Sequence, residues 1–211
     1  MSRPTLRSIA QIAAAATLAL ASTAHAAIVV QEGNIPPLGA LVISNACANT
    51  LENGPALIVQ GCLNNSNSTV VNFESNENIT FSGGQATVEA DDGVGFSFLK
   101  IYFDEAGATF DKLILNILSS IDGFVTFTGT PGGVSQPFAL NGNGQNFFTI
   151  TGDAGEGFSS ISFTTTTSVV TELKQVRLTA GNSTEVPEPG SIALLGLGLI
   201  GLAAARRRRT A

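Results

Sequence analysis

The chain has 211 residues, 44% of them hydrophobic and 12% charged, with a formal net charge of −6. Six of its ten basic residues (Arg3, Arg7, Arg206, Arg207, Arg208 and Arg209) lie near the two ends, so residues 27–185 hold four bases against fifteen acids, a balance of −11. So acidic a region repels nucleic acid, whose binding depends on neutralising phosphates; it suits cations or simple solubility instead.

The first residues read as a targeting segment. Arg3 and Arg7 make a positive start, and residues 9–20 are apolar except for Gln11 and Thr17. Ala24-His25-Ala26 follows, with small residues at its first and third positions. Charge, a short apolar region and A-x-A make a secretory signal peptide, with cleavage expected between Ala26 and Ala27. The run is too short for a comfortable membrane span of about 20 residues.

Residues 27–181 then form one domain by length, long enough to bury a core. Residues 27–67 are the less regular part, with Pro36-Pro37, both cysteines and an Asn/Ser cluster over residues 64–68. Cys47 and Cys62 are the only two cysteines. In an exported protein such a pair is expected to form a disulfide. A metal site at the cysteines would need further ligands, and the single histidine, His25, leaves with the signal peptide.

From there on no long helical period appears. Short apolar or alternating runs recur, separated by Gly, Asn, Asp and Ser. They are residues 69–73, 94–103, 113–118, 123–128, 145–151, 158–165 and 169–179. Val94, Phe96 and Phe98 alternate, then the apolar phase shifts to Leu99, Ile101 and Phe103. A one-residue shift within a strand suggests a bulge. Residues 113–118 are nearly continuously apolar, as for a strand buried on both faces, with a helical turn over 114–118 as the alternative. Turn-forming clusters such as Asp91-Asp92-Gly93 and Pro131-Gly132-Gly133 punctuate the runs. Many short strands at this spacing predict an all-β, antiparallel β-sandwich, jelly-roll-like, with most of the thirteen phenylalanines in its core.

No catalyst stands out. Ser–His and Cys–His chemistry needs an imidazole that the mature chain lacks. No Gly-rich loop sits in the strand–loop–helix context of a phosphate site. Carboxylate pairs for glycoside hydrolysis are available in number, but nothing singles one out. The expectation is therefore a non-enzyme. Calcium is the one cofactor considered, through oxygen ligands in loops: Asp91, Asp92, Asp104, Asp153 and Glu156. None of these fits an EF-hand pattern, and acids in turns commonly cap them.

After a polar linker from Asn182, the chain reads Val186-Pro187-Glu188-Pro189, followed by an apolar stretch over residues 190–205 and then Arg206, Arg207, Arg208 and Arg209. As a helix, 190–205 would be about 24 Å long, short of a hydrocarbon core of roughly 30 Å. Arginine stems can make up the difference by snorkelling. The prolines break the chain before the helix, and the arginines hold the end in the cytoplasm. The domain is then outside the inner membrane.

These three parts, in this order, closely resemble the PEP-CTERM sorting signal. The resemblance covers residues 186–211 and says nothing of the domain. It implies a bacterium that makes exopolysaccharide, and a membrane-embedded exosortase, a cysteine transpeptidase-like enzyme, that recognises the tag and cuts near the motif. Signal peptidase and exosortase are then the partners during export. The destination is the cell surface or extracellular matrix, reached through a transient single-pass stage. The expected function is structural or adhesive, associated with exopolysaccharide or biofilm. The alternative is a carbohydrate-binding module, with or without calcium, and a hydrolase comes third.

Overall fold

The computed structural model describes residues 27–181, except 84–86, 154–156 and 168. The targeting segment, the linker, the sorting motif and the apolar stretch 190–205 lie outside the described residues. Among the described residues no helix is long and apolar enough to cross a membrane.

The described chain is all β. Its strands are β1 (Ile28–Glu32), β2 (Ala40–Ile43), β3 (Ala56–Leu63), β4 (Ser66–Ser82), β5 (Thr87–Ala90), β6 (Phe98–Phe103) and β7 (Phe110–Ser119). They continue with β8 (Gly123–Thr130), β9 (Gly133–Val134), β10 (Phe138–Leu140), β11 (Asn146–Gly152), β12 (Ser160–Thr166) and β13 (Val170–Ala180). Every pairing among them is antiparallel.

Hydrogen bonding connects the strands in the order β1-β11-β7-β13-β2-β3-β4-β6-β12-β8-β10. Ring contacts show that this path doubles back on itself. Phe127 of β8 and Phe148 of β11 stand 5.1 Å apart, though their strands lie near opposite ends of the path. Phe103 of β6 meets Phe110 of β7 edge-on at 5.7 Å. The result is a sandwich of two layers, β1-β11-β7-β13 and β3-β4-β6-β12-β8-β10. From β6 onward the chain crosses repeatedly between them, in jelly-roll fashion.

Two strands sew the layers together. β4 pairs with β3 and β6 through Val71–Ser75, then with β5 through Ile79–Ser82, and β5 pairs with β13 of the other layer. β2 pairs with both β13 and β3. Such bent strands close the corners of a sandwich without leaving a free edge there.

The core follows from alternation. In β8, Val125 and Phe127 are buried while Phe124 is 51% exposed; in β6, Leu99, Ile101 and Phe103 point inward. Nine of the thirteen phenylalanines are buried. β7 is the exception to alternation, as its apolar run implied. Leu113, Leu115 and Ile117 join the core, and Ile114 and Asn116 on the other face are also buried. Ile114 pairs with Thr149, whose hydroxyl donates to the Gly33 carbonyl and accepts from the Ile35 amide. The segment after β1 thus lies over the outer side of this layer, and Lys112 fastens it by donating to the Pro37 carbonyl.

Residues 27–67, expected as the less regular part, supply β1, β2, β3 and the start of β4, with the Asn/Ser cluster turning the β3–β4 hairpin at Asn64 and Asn65. The phase shift after Phe96 is a passage between layers rather than a bulge. Phe96 exchanges two backbone hydrogen bonds with Val170 of β13, whereas Leu99 pairs with β4 and β12 in the opposite layer. Gly95 allows the approach: at φ 107°, a Cβ there would stand 2.6 Å from the Val170 carbonyl oxygen.

Candidate functional site, the open outer face of the β6 layer

One outer face is covered by the segment after β1; on the outer face of the other layer Ile58 and Val134 are exposed, while Asn72 and Ser160 are buried. The strand register shows what the open face carries. Gln60, Asn72, Tyr102, Ser160 and Thr130 lie in one row across β3, β4, β6, β12 and β8. Two residues along, Ile58, Glu74, Lys100, Ser162, Thr128 and Val134 form the next row, which ends on β9. A third row holds Phe98, Thr164 and Thr126. Alternation puts all of them opposite the core residues Val59, Phe73, Ile101, Ile161, Phe163 and Phe127.

The centre of the face is a connected polar network. Gln60 Nε2 donates to Asn72 Oδ1 at 3.0 Å, and Asn72 Nδ2 donates to Asp104 Oδ1 at 3.0 Å. Asn72 is 3% exposed, so these bonds satisfy an amide that would otherwise be costly to bury. Lys100 Nζ lies 4.7 Å from the Tyr102 ring centroid and 3.5 Å from Glu74 Oε2. One ammonium therefore contacts both the ring and a carboxylate. Burial raises the Tyr102 hydroxyl above its ordinary pKa of 10.0, and the nearby Glu74 and Asp104 carboxylates raise it further. The right-hand strands are hydroxyl-rich: Ser162, Thr164, Thr126 and Thr128 have no hydrogen-bond partner for their side chains among the described residues. Each can both donate and accept.

The acids named as calcium candidates do not come together. Asp91 and Asp92 sit in the turn after β5, beside Glu77 and Asn78, in a shallow cleft of about 360 Å³. Asp92 Oδ1 accepts from the Val94 amide, which is turn capping. Asp104 closes β6 and accepts from Asn72. Asp153 follows β11, its amide bonded to the Ala27 carbonyl. Glu156 lies outside the described residues. Among the described residues no three His, Cys, Asp or Glu side chains converge as metal ligands.

Cys47 and Cys62 form a disulfide that ties the loop after β2 to β3. Of the processing residues, Ala27 is described and exposed. Ala24, Ala26, Val186, Pro187, Glu188, Pro189, Arg206, Arg207, Arg208 and Arg209 lie outside the described residues.

Tyr102 is the single tyrosine of the sequence, and on sequence alone the shortage of such rings argues against a sugar site there; its neighbours are not legible in the chain. Gln60, Asn72, Lys100, Ser160 and Ser162 come from four strands, and only the register assembles them. The available signal was local: Lys100-x-Tyr102-x-Asp104 and Ser160-x-Ser162-x-Thr164 each interleave polar residues with core residues.

Comparison with known proteins gives two findings. A solved structure of a mutant family 29 carbohydrate-binding module, studied for its mechanism of ligand recognition, aligns with a TM-score of 0.33 and 10% identity, covering 77% of this chain and 98% of that one. No curated protein matches the chain. The second finding concerns residues 185–209, which match the model of the PEP-CTERM protein-sorting motif. The chain thus carries a PEP-CTERM protein-sorting motif C-terminal to an all-β sandwich.

Proposed function

We propose that this is an exported, non-enzymatic protein of the bacterial surface or extracellular matrix, delivered by its tag and acting by adhesion within exopolysaccharide. The sorting motif at 185–209 carries the reading. It begins four residues after Gly181, where the described residues end. Signal peptidase removes residues 1–26, the stretch 190–205 holds the chain in the inner membrane, and exosortase then cuts near Val186-Pro187-Glu188-Pro189. No cofactor enters this account. The face around Tyr102 supports an adhesive role. It combines an aromatic ring, amides and free hydroxyls, with Lys100 paired to Glu74 among them.

The test is made in the producing bacterium. Replacing Pro187, Glu188 and Pro189 by alanine is expected to trap the protein in the inner-membrane fraction. Unchanged delivery to the surface would refute processing through the motif.

A further inference from the structure

We propose that the open face is a binding site for a neutral, extended polysaccharide, which lies across the strands over Tyr102. The inference deepens the matrix reading and rests on it for the ligand's presence outside the cell. Four observations carry it.

The first is accessibility: the segment that Thr149 and Lys112 fasten overlies the opposite layer, whereas in the row of this layer Ile58 and Val134 are 41% and 66% exposed and the Lys100 and Glu74 side chains 38% and 39%. The second is length. The row from Ile58 to Val134 crosses six strands, a span of roughly 24 Å at the usual strand spacing. An extended chain of several sugars fits such a track better than a single small molecule does. The third is chemistry. Sugars present alternating C–H faces and hydroxyls, and the site offers the Tyr102 ring beside hydroxyls that both donate and accept. Ser162 and Thr128 are neighbours in register, and their hydroxyls are unengaged within the described residues. The fourth is charge. Lys100 is offset by Glu74, and Asp104 adds a further acid beside Asn72. Uronate-, sulfate- or phosphate-bearing polymers would meet like charge, so the ligand is neutral.

The experiment uses the full chain purified in detergent and a panel of neutral polysaccharides (soluble β-glucan, galactomannan and dextran), with alginate as the anionic comparison. Binding to at least one neutral polymer and not to alginate is expected. Tyr102→Ala should weaken it at least tenfold. Thr128→Glu, which puts a charge on the track beside Ser162, should do the same with the melting temperature nearly unchanged. Gln31→Ala, exposed on the other layer, should bind as the natural protein does. Failure to bind any neutral polymer, equal binding by the Tyr102 and Thr128 variants, or preference for alginate would overturn the site. Because the assay reads the purified chain and not its export, each of these results leaves the sorting reading untouched.

Discussion

Lys100 stands over the ring of Tyr102, its Nζ 4.7 Å from the centroid, while the same ammonium pairs with Glu74 at 3.5 Å. Two residues on one strand and one on the next thus share a single positive charge. The arrangement fixes the lone tyrosine on the outside of a sandwich whose other aromatic residues are phenylalanines.

Tyr102 therefore reports on the face directly. Its hydroxyl pKa lies above 10.0, first because burial penalises the phenolate and then because Glu74 and Asp104 repel it. Titration of tyrosinate absorbance should give one transition above the ordinary value, and Glu74→Gln should move it down. The sign for stability follows: the folded state holds the proton longer than the unfolded chain. Stability is therefore intact below about pH 10 and falls as the pH rises from there through the folded value. A midpoint at or below the ordinary value would contradict the described surroundings of the ring.

The disulfide closes a loop with a sequence separation of 15. Replacing both Cys47 and Cys62 by alanine should cost up to about 3 kcal/mol in the chain-entropy account. Urea denaturation measures it as a lower midpoint.

Neighbouring positions on β8 should differ sharply. Phe127 is fully buried and has Phe138, Phe148 and Phe163 around it at 6.4, 5.1 and 6.1 Å. Phe127→Ala should cost about 3–5 kcal/mol. Phe124, 51% exposed on the opposite face, should lose no more than about 0.5 kcal/mol on the same change. Comparable losses at both positions would refute the register of this strand.

Much of this was legible from the chain because period-two alternation survives burial on one face. β8, β11, β12 and β13 fall within a few residues of where alternation or apolar runs put them. The nearly continuous apolar run of β7 fits the strand covered on both sides, not the helical turn that was its alternative. The early strands were hidden for a physical reason. β1 and β2 are only five and four residues long; β1 is held by the distant β11, and β2 by the distant β13 as well as by β3. The shift after Phe96 looked like a bulge because a sequence does not reveal that one strand's residues serve two layers. The candidate site was not legible in the sequence: Gln60 and Asn72 meet Tyr102 only through pairings of β3 with β4 and β4 with β6.

Export and tag processing are tested most directly by the intact mass of the protein recovered from the cell surface. The mass should correspond to a chain that begins at Ala27 and ends near Pro189, without residues 192–211. A surface product that retains Arg206, Arg207, Arg208 and Arg209 would contradict processing and leave the C-terminal stretch as a plain anchor.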